Sequence, residues 1–92
     1  MPNIKSAIKR VRVAEKKRLR NRAVRSAVRT YVRTAERSIQ AATPDREVTA
    51  AAVKRALQQL DAAASKGVIH RNNAARRKSR LMKKYNHLLT AQ

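Results

Sequence analysis

Five arginines, Arg18, Arg22, Arg25, Arg29 and Arg33, recur at spacings of four, three, four and four residues. On a helix that spacing gathers side chains on one face, and a guanidinium fork grips phosphate oxygens two at a time. The chemistry such a row offers is recognition of a phosphate-bearing polyanion. An ordinary solvated face mixes charges of both signs. Across residues 1–42 Glu15 and Glu36 alone face thirteen bases, so i,i+4 ion pairs cannot balance the repulsion. The charge pattern favours a phosphate-binding ridge over a merely solvated one.

A second constellation runs Lys66-Gly67-Val68-Ile69-His70-Arg71-Asn72-Asn73-Ala74-Ala75-Arg76-Arg77-Lys78. The exposed start of a helix there offers unpaired N–H groups to an anion, with basic side chains alongside. His70 and Asn72 read equally as RNA contacts and as local caps, because short polar side chains readily bond the neighbouring backbone. Asn3, Ser6 and Asn21 are hydrogen-bonding side chains among cations, suited to phosphate, ribose hydroxyls or bases, and equally to plain surface positions. Tyr31 and Tyr85 are the only aromatics and fall at packing positions, so base stacking is not expected.

Residues that carry catalysis are missing in combination. The two histidines, His70 and His87, lie 17 positions apart, cysteine is absent, and the five carboxylates have capping or surface explanations. No enzyme, no cofactor and no small-molecule substrate are expected. Nor is a metal site, since the histidines lack a third ligand at zinc spacing. The absence of cysteine also removes disulfides and fits a reducing compartment, weakly in so short a chain.

The 24 Lys and Arg against five acids give a formal charge of +19, which self-repels without an anionic partner. No apolar run approaches the roughly 18 residues of a spanning helix, and Lys5 and Lys9 interrupt the place of a secretory signal. A soluble, cytoplasmic protein is expected. A membrane-surface peptide is disfavoured because the bases spread around the first helix and bulky boundary aromatics are missing. A histone-like DNA compactor shares the Lys, Arg and Ala richness, but it typically needs a dimer or a repetitive tail, and neither a repeat nor a dimer seam is visible. Charge alone does not separate RNA from DNA.

The elements that must position these residues follow from the punctuation. Pro stands only at positions 2 and 44 and Gly only at 67, which predicts three helices in one domain over 1–92, at about 5–41, 44–65 and 69–89. Residues 43–65 carry three bases and three acids and residues 66–92 eight bases and no acid, so the outer segments are expected to bind and the middle one to pack. The first helix has an apolar stripe at Val24, Val28, Tyr31, Ala35 and Ile39, with the arginine ridge roughly 120° away. The second shows Val48, Ala52, Val53, Ala56, Leu57, Leu60 and Ala64, and the third Ala75, Met82, Tyr85 and Leu89 helped by Leu81 and Leu88. Thr43 is predicted to cap the second helix with Pro44 at its first position and Asp45 and Glu47 at the positive dipole end. Gly67 is predicted to take the left-handed position that closes it, with Val68 packing back. Short connections then make an all-α, up-down-up three-helix bundle.

The leading half of the first helix is different. Glu15-Lys16-Lys17-Arg18-Leu19-Arg20-Asn21-Arg22 contains one large apolar residue, Leu19, and cannot lie in a protein core. It is expected to protrude as a basic arm and to order on an anionic partner, because isolated helices are marginal in water. Leu, Ile and Val together number 18, just under the roughly one-fifth level that with high charge warns of disorder. The free protein is expected to be marginally stable.

The opening Asn3-Ile4-Lys5-Ser6-Ala7 with Lys9-Arg10, then Glu15-Lys16, Asn21, Arg25-Ser26 and Arg29-Thr30, continues into Lys66-Gly67-Val68-Ile69-His70, Asn72, Ala74-Ala75-Arg76 and Lys78-Ser79-Arg80-Leu81. Over its full length the chain resembles the bacterial small-subunit ribosomal protein S-twenty family. The resemblance implies a cytoplasmic three-helix bundle in the small ribosomal subunit. It would bind 16S rRNA early in assembly, at the 5′ domain and the 3′ minor domain, and stabilise its fold. By matching position it implies RNA contacts at Asn3, Lys5, Ser6, Lys9, Arg10, Lys16, Asn21, Arg25, Arg29, Lys66, His70, Asn72, Arg76 and Lys78. The basic stretch and ridge add Lys17, Arg18, Arg22 and Arg33. Ile8 stands where the family usually has Lys, and Asn73 and Arg77 fall at positions that vary in chemistry; none of the three is carried over.

Overall fold

Pro2 opens the first helix, where a missing N–H leaves no bond unmade and the fixed φ suits the first turn. From there α1 (Pro2–Gln40) runs 39 residues without an interior Gly or Pro, about 58 Å at 1.5 Å per residue. The computed structural model describes residues 2–91 and the side chains of residues 4–90; after α1 it has α2 (Arg46–Ser65) and α3 (Arg71–Ala91). No strand occurs among the described residues. α1 thus begins before the expected start at Lys5 and stops one residue short of Ala41, and α3 starts just past His70.

The start of α2 corrects the expected cap. Asp45, not Thr43, is the N-cap: its backbone is extended (φ −85°, ψ 118°). Its Oδ1 accepts from the N–H groups of Glu47 at 3.0 Å and Val48 at 3.2 Å. Pro44 therefore precedes the cap instead of occupying the first helical position. A carboxylate places full negative charge on the positive helix end, which a threonine hydroxyl does not, and Pro44 steers Thr43 away from helical backbone. The far end matches expectation. Gly67 has φ +74°, its N–H donates to Ala64 O and that of Val68 to Ala63 O, both at 3.0 Å. This paired closure satisfies the last carbonyls and folds Val68 under the helix, where it is 6% exposed.

Side-chain pairings give the topology. Ala35 and Ile39 of α1 pack with Val53 and Ala56 of α2, while Val28, earlier in α1, packs with Leu60 and Ala63, later in α2; the two helices are antiparallel. Lys84 reaches Glu36 and Arg25 reaches Val68 just ahead of α3, so α1 and α3 run parallel. The result is the up-down-up three-helix arrangement. Leu60, Leu81, Val28 and Thr49 are its largest fully buried side chains. Thr49 shares a 2.8 Å hydrogen bond with Ser38, so its buried hydroxyl has a partner.

Two packing expectations are corrected. Val48 is 59% exposed, and its place in the core is taken by its neighbour Thr49. On α3 the deepest positions are Ala74 and Leu81, whereas Ala75 and Leu89 are exposed. The inner face is set one residue earlier than the stripe read from Ala75, Met82 and Leu89; Met82, Tyr85 and Leu88 pack at its edge.

The bundle covers only part of α1. Residues 4–20 are exposed throughout, and the molecule measures 69 × 21 × 14 Å with a radius of gyration of 18.1 Å. A globular chain of this length would have a radius near 12 Å. The leading half of α1 is a projecting arm.

Candidate nucleic-acid interface

Where α1 enters the bundle, Arg18, Arg22, Arg25 and Arg29 line one continuous groove with Ser26. The four-three-four spacing does this directly, since those positions share a face of a continuous helix. Arg33 extends the row, exposed. Beside it lies a second groove of about 270 Å³ formed by Arg25, Val28, Arg29, Val68, Ile69, His70, Asn73 and Arg77. Its floor is the buried pair Val28 and Val68; its rim is three guanidinium groups, an imidazole and an amide. The Gly67 turn creates this groove by bringing the start of α3 alongside α1, and Arg25 Nη2 donates to Val68 O at 3.5 Å.

His70 caps α3: its Nδ1 accepts the Asn72 N–H at 3.1 Å. With Nδ1 so used, the proton of the neutral ring sits on Nε2, which is left as a donor. The cap reading and the contact reading therefore belong to different atoms of one ring. Asn73 and Arg77, both set aside at the sequence level, are the residues that sequence reasoning missed. Arg77 Nε donates to Asn73 Oδ1 at 3.1 Å, which fixes the guanidinium at the groove rim. The signal was present in the spacing, since positions 70, 73 and 77 share a helical face.

The other candidates are spread out. Lys5, Ser6, Lys9, Arg10, Lys16 and Lys17 are exposed along the arm, with Ser6, Lys9, Arg10 and Lys17 on a shallow strip beside Val13 and Ala14. The Asn3 side chain lies outside the described residues. Asn21 is half-buried where the arm leaves the bundle, and its Oδ1 is closed off from solvent without a hydrogen-bond partner. Lys66, Asn72 and Arg76 are exposed and do not line the groove. Lys78 points instead to α2, its Nζ 2.8 Å from Asp61 Oδ1. Apart from that pair and Lys84–Glu36, none of the candidate cations makes an ion pair among the described residues.

No group of three His, Asp or Glu side chains that could hold a metal occurs among the described residues. No described helix is long and apolar enough to cross a membrane. What the arrangement can do is hold phosphate at several points along about 40 Å of surface, from the arm to the α3 groove.

Comparison with known proteins fits this surface. Residues 2–86 match the family model of ribosomal protein S20. The chain is 58% identical to small ribosomal subunit protein bS20 of Cutibacterium acnes over 96% of its own length and 98% of the relative's. It is 50% identical to the protein of the same name from Thermomicrobium roseum, over all of this chain and 91% of that one. A third, from Roseiflexus, is 53% identical over 92% and 90% of the two chains. The chain belongs to the ribosomal protein S20 family.

Proposed function

We propose that this protein is a non-enzymatic structural constituent of the small ribosomal subunit in the cytoplasm, acting as one unit that binds 16S rRNA directly and stabilises its fold during assembly. The observation that carries the reading is the unbroken guanidinium surface from Arg18 through Arg29 to Arg77, almost free of carboxylate partners. Arg25 and Arg29 belong to both grooves and are its centre. The arm and the α3 groove are far enough apart to reach two separate rRNA elements, which supports contacts to the 5′ domain and the 3′ minor domain. His70 Nε2, Asn72 and Asn21 supply shorter-range hydrogen bonds, and Lys5, Lys9, Arg10, Lys16, Lys17, Lys66 and Arg76 supply phosphate contacts around them.

Titration of the chain against a small-subunit rRNA transcript at ~150 mM salt, with duplex DNA as competitor, tests this. The rRNA is expected to win, and Arg25→Ala or Arg29→Ala is expected to lower the slope of log affinity against log salt by about one each. Equal affinity for both nucleic acids, or an unaltered slope, would refute the proposal.

A further inference from the structure

α1 reverses its polarity along its length. In the bundle half, the face toward α2 and α3 is apolar, through Val24, Val28, Tyr31, Ala35 and Ile39, and the arginine ridge lies away from it. In the arm, at 100° per residue, the side continuous with the core stripe carries Ser6, Arg10 and Lys17, broken by Val13. Ile4, Ile8 and Val11 instead centre roughly 150° from the core stripe and about 30° from the centre of the arginine ridge. Ala7 and Ala14 border them. These are large aliphatic groups left in solvent, Ile4 56%, Ile8 49% and Val11 57% exposed. No packing among the described residues accounts for them, because residues 4–20 are exposed throughout.

We infer that Ile4, Ile8 and Val11 lie against the ribose-lined minor-groove surface of an RNA helix, giving the arm a binding contribution that salt does not screen. The inference rests on the rRNA-binding reading above and adds a different force to it. Two features select the occupant. The stripe shares its face with the arginine ridge, with Glu15 standing between Val11 and Arg18, so a polyanion seated on Arg18, Arg22 and Arg29 that spans this one carboxylate extends over Ile4, Ile8 and Val11 without turning. Lys5, Lys9, Arg12 and Lys16 flank the stripe on one side, Ala7 and Ala14 border it on the other with Arg10 beyond them, and Glu15 is the one acid of the arm. That charge repels a second copy of the arm and requires an anionic frame around an apolar strip. The shallow, wide minor groove of A-form RNA has this form, with sugar and base edges between two phosphate rows; its major groove is too deep and narrow to admit side chains.

Replacing the three residues together, Ile4→Ser, Ile8→Ser and Val11→Ser, in the full chain tests the inference. Ser ranks close to Ile and Val in helix propensity and no charge changes, so the arm's helicity and the electrostatics are matched. Affinity for the small-subunit rRNA transcript is expected to fall at least about tenfold, with an unchanged salt slope. The heat-capacity change of binding should become less negative, the mark of lost apolar burial. Thermal unfolding of the free bundle should stay where it was. Unchanged affinity or an altered slope would overturn the inference. So would loss of binding to phosphatidylglycerol vesicles, or of self-association in sedimentation, while rRNA affinity holds. Arg25→Ala and Arg29→Ala in parallel separate the two readings: if they leave binding intact the rRNA surface itself is refuted, whereas the serine variant alone bears on the apolar stripe.

Discussion

Gly67 sits at the one backbone position among the described residues where the chain enters the left-handed region, at φ +74°, and the α3 groove depends on it. A Cβ built there meets nothing within 4 Å, so any effect of substitution comes from backbone conformation alone. Gly67→Ala is expected to destabilise the fold by about 1 kcal/mol, read as a lowered denaturation midpoint with unchanged m-value. Gly67→Asn should lose less, since Asn tolerates that region; equal losses would show that something other than φ sets the cost. This residue was legible in the sequence because it is the chain's only Gly and it follows a helical pattern. Asp45 was less so: Thr43, Pro44 and Asp45 are all good helix-start residues, and choosing among them takes the backbone path of the α1–α2 connection. Arg77 was lost differently. The spacing put it on one face with His70 and Asn73, but that this face closes on α1 depends on the distance between two helices.

Among the elements, α2 was read in its length and in the centre of its stripe, Val53, Ala56 and Leu60, because these stand against few cations. Its ends were read a residue or two away from Asp45, Thr49 and Ala63. α3 was read with its inner face one residue off, for an identifiable reason. Its apolar positions come as neighbours, Ala74-Ala75, Leu81-Met82 and Leu88-Leu89, and each pair spans 100° of helix. Periodicity cannot choose between the members; contact with α1 and α2 selects Ala74 and Leu81. The leading half of α1 is the element whose character depends most on a partner. It has helix-favouring residues but no tertiary packing, and a helix of this length without packing is marginal in water. Hydrogen exchange should therefore divide α1 in the free protein, with amides of residues 4–20 exchanging fast and those of residues 28–39 protected to the level of α2. Adding rRNA should protect the first group and raise overall helicity. Strong protection of the arm before RNA is added would contradict coupled ordering.

At the scale of the molecule, a small core is set against a large charge. Among the described residues the largest fully buried side chains are Leu60, Leu81, Val28 and Thr49, and 24 cations face five acids. Two inter-helix ion pairs, Lys78–Asp61 and Lys84–Glu36, offset little of this, since both are largely solvent-exposed and such pairs contribute about 0–1 kcal/mol. Net charge far from zero disfavours the compact state through self-repulsion, and added salt screens it over a Debye length of about 10 Å at 0.1 M. The free chain should therefore gain stability as NaCl rises from ~20 to ~200 mM, seen as a higher Tm by circular dichroism. The complex should move the other way over the same range, because the counterions displaced by Arg18, Arg22, Arg25 and Arg29 gain less entropy on release into a saltier solution. A free-chain Tm that falls with NaCl would mean that exposed ion pairs outweigh repulsion, which five acids among 24 bases cannot readily supply. Opposite signs in the two measurements would identify one cause for both, a cationic surface whose missing counter-charge is carried by the RNA.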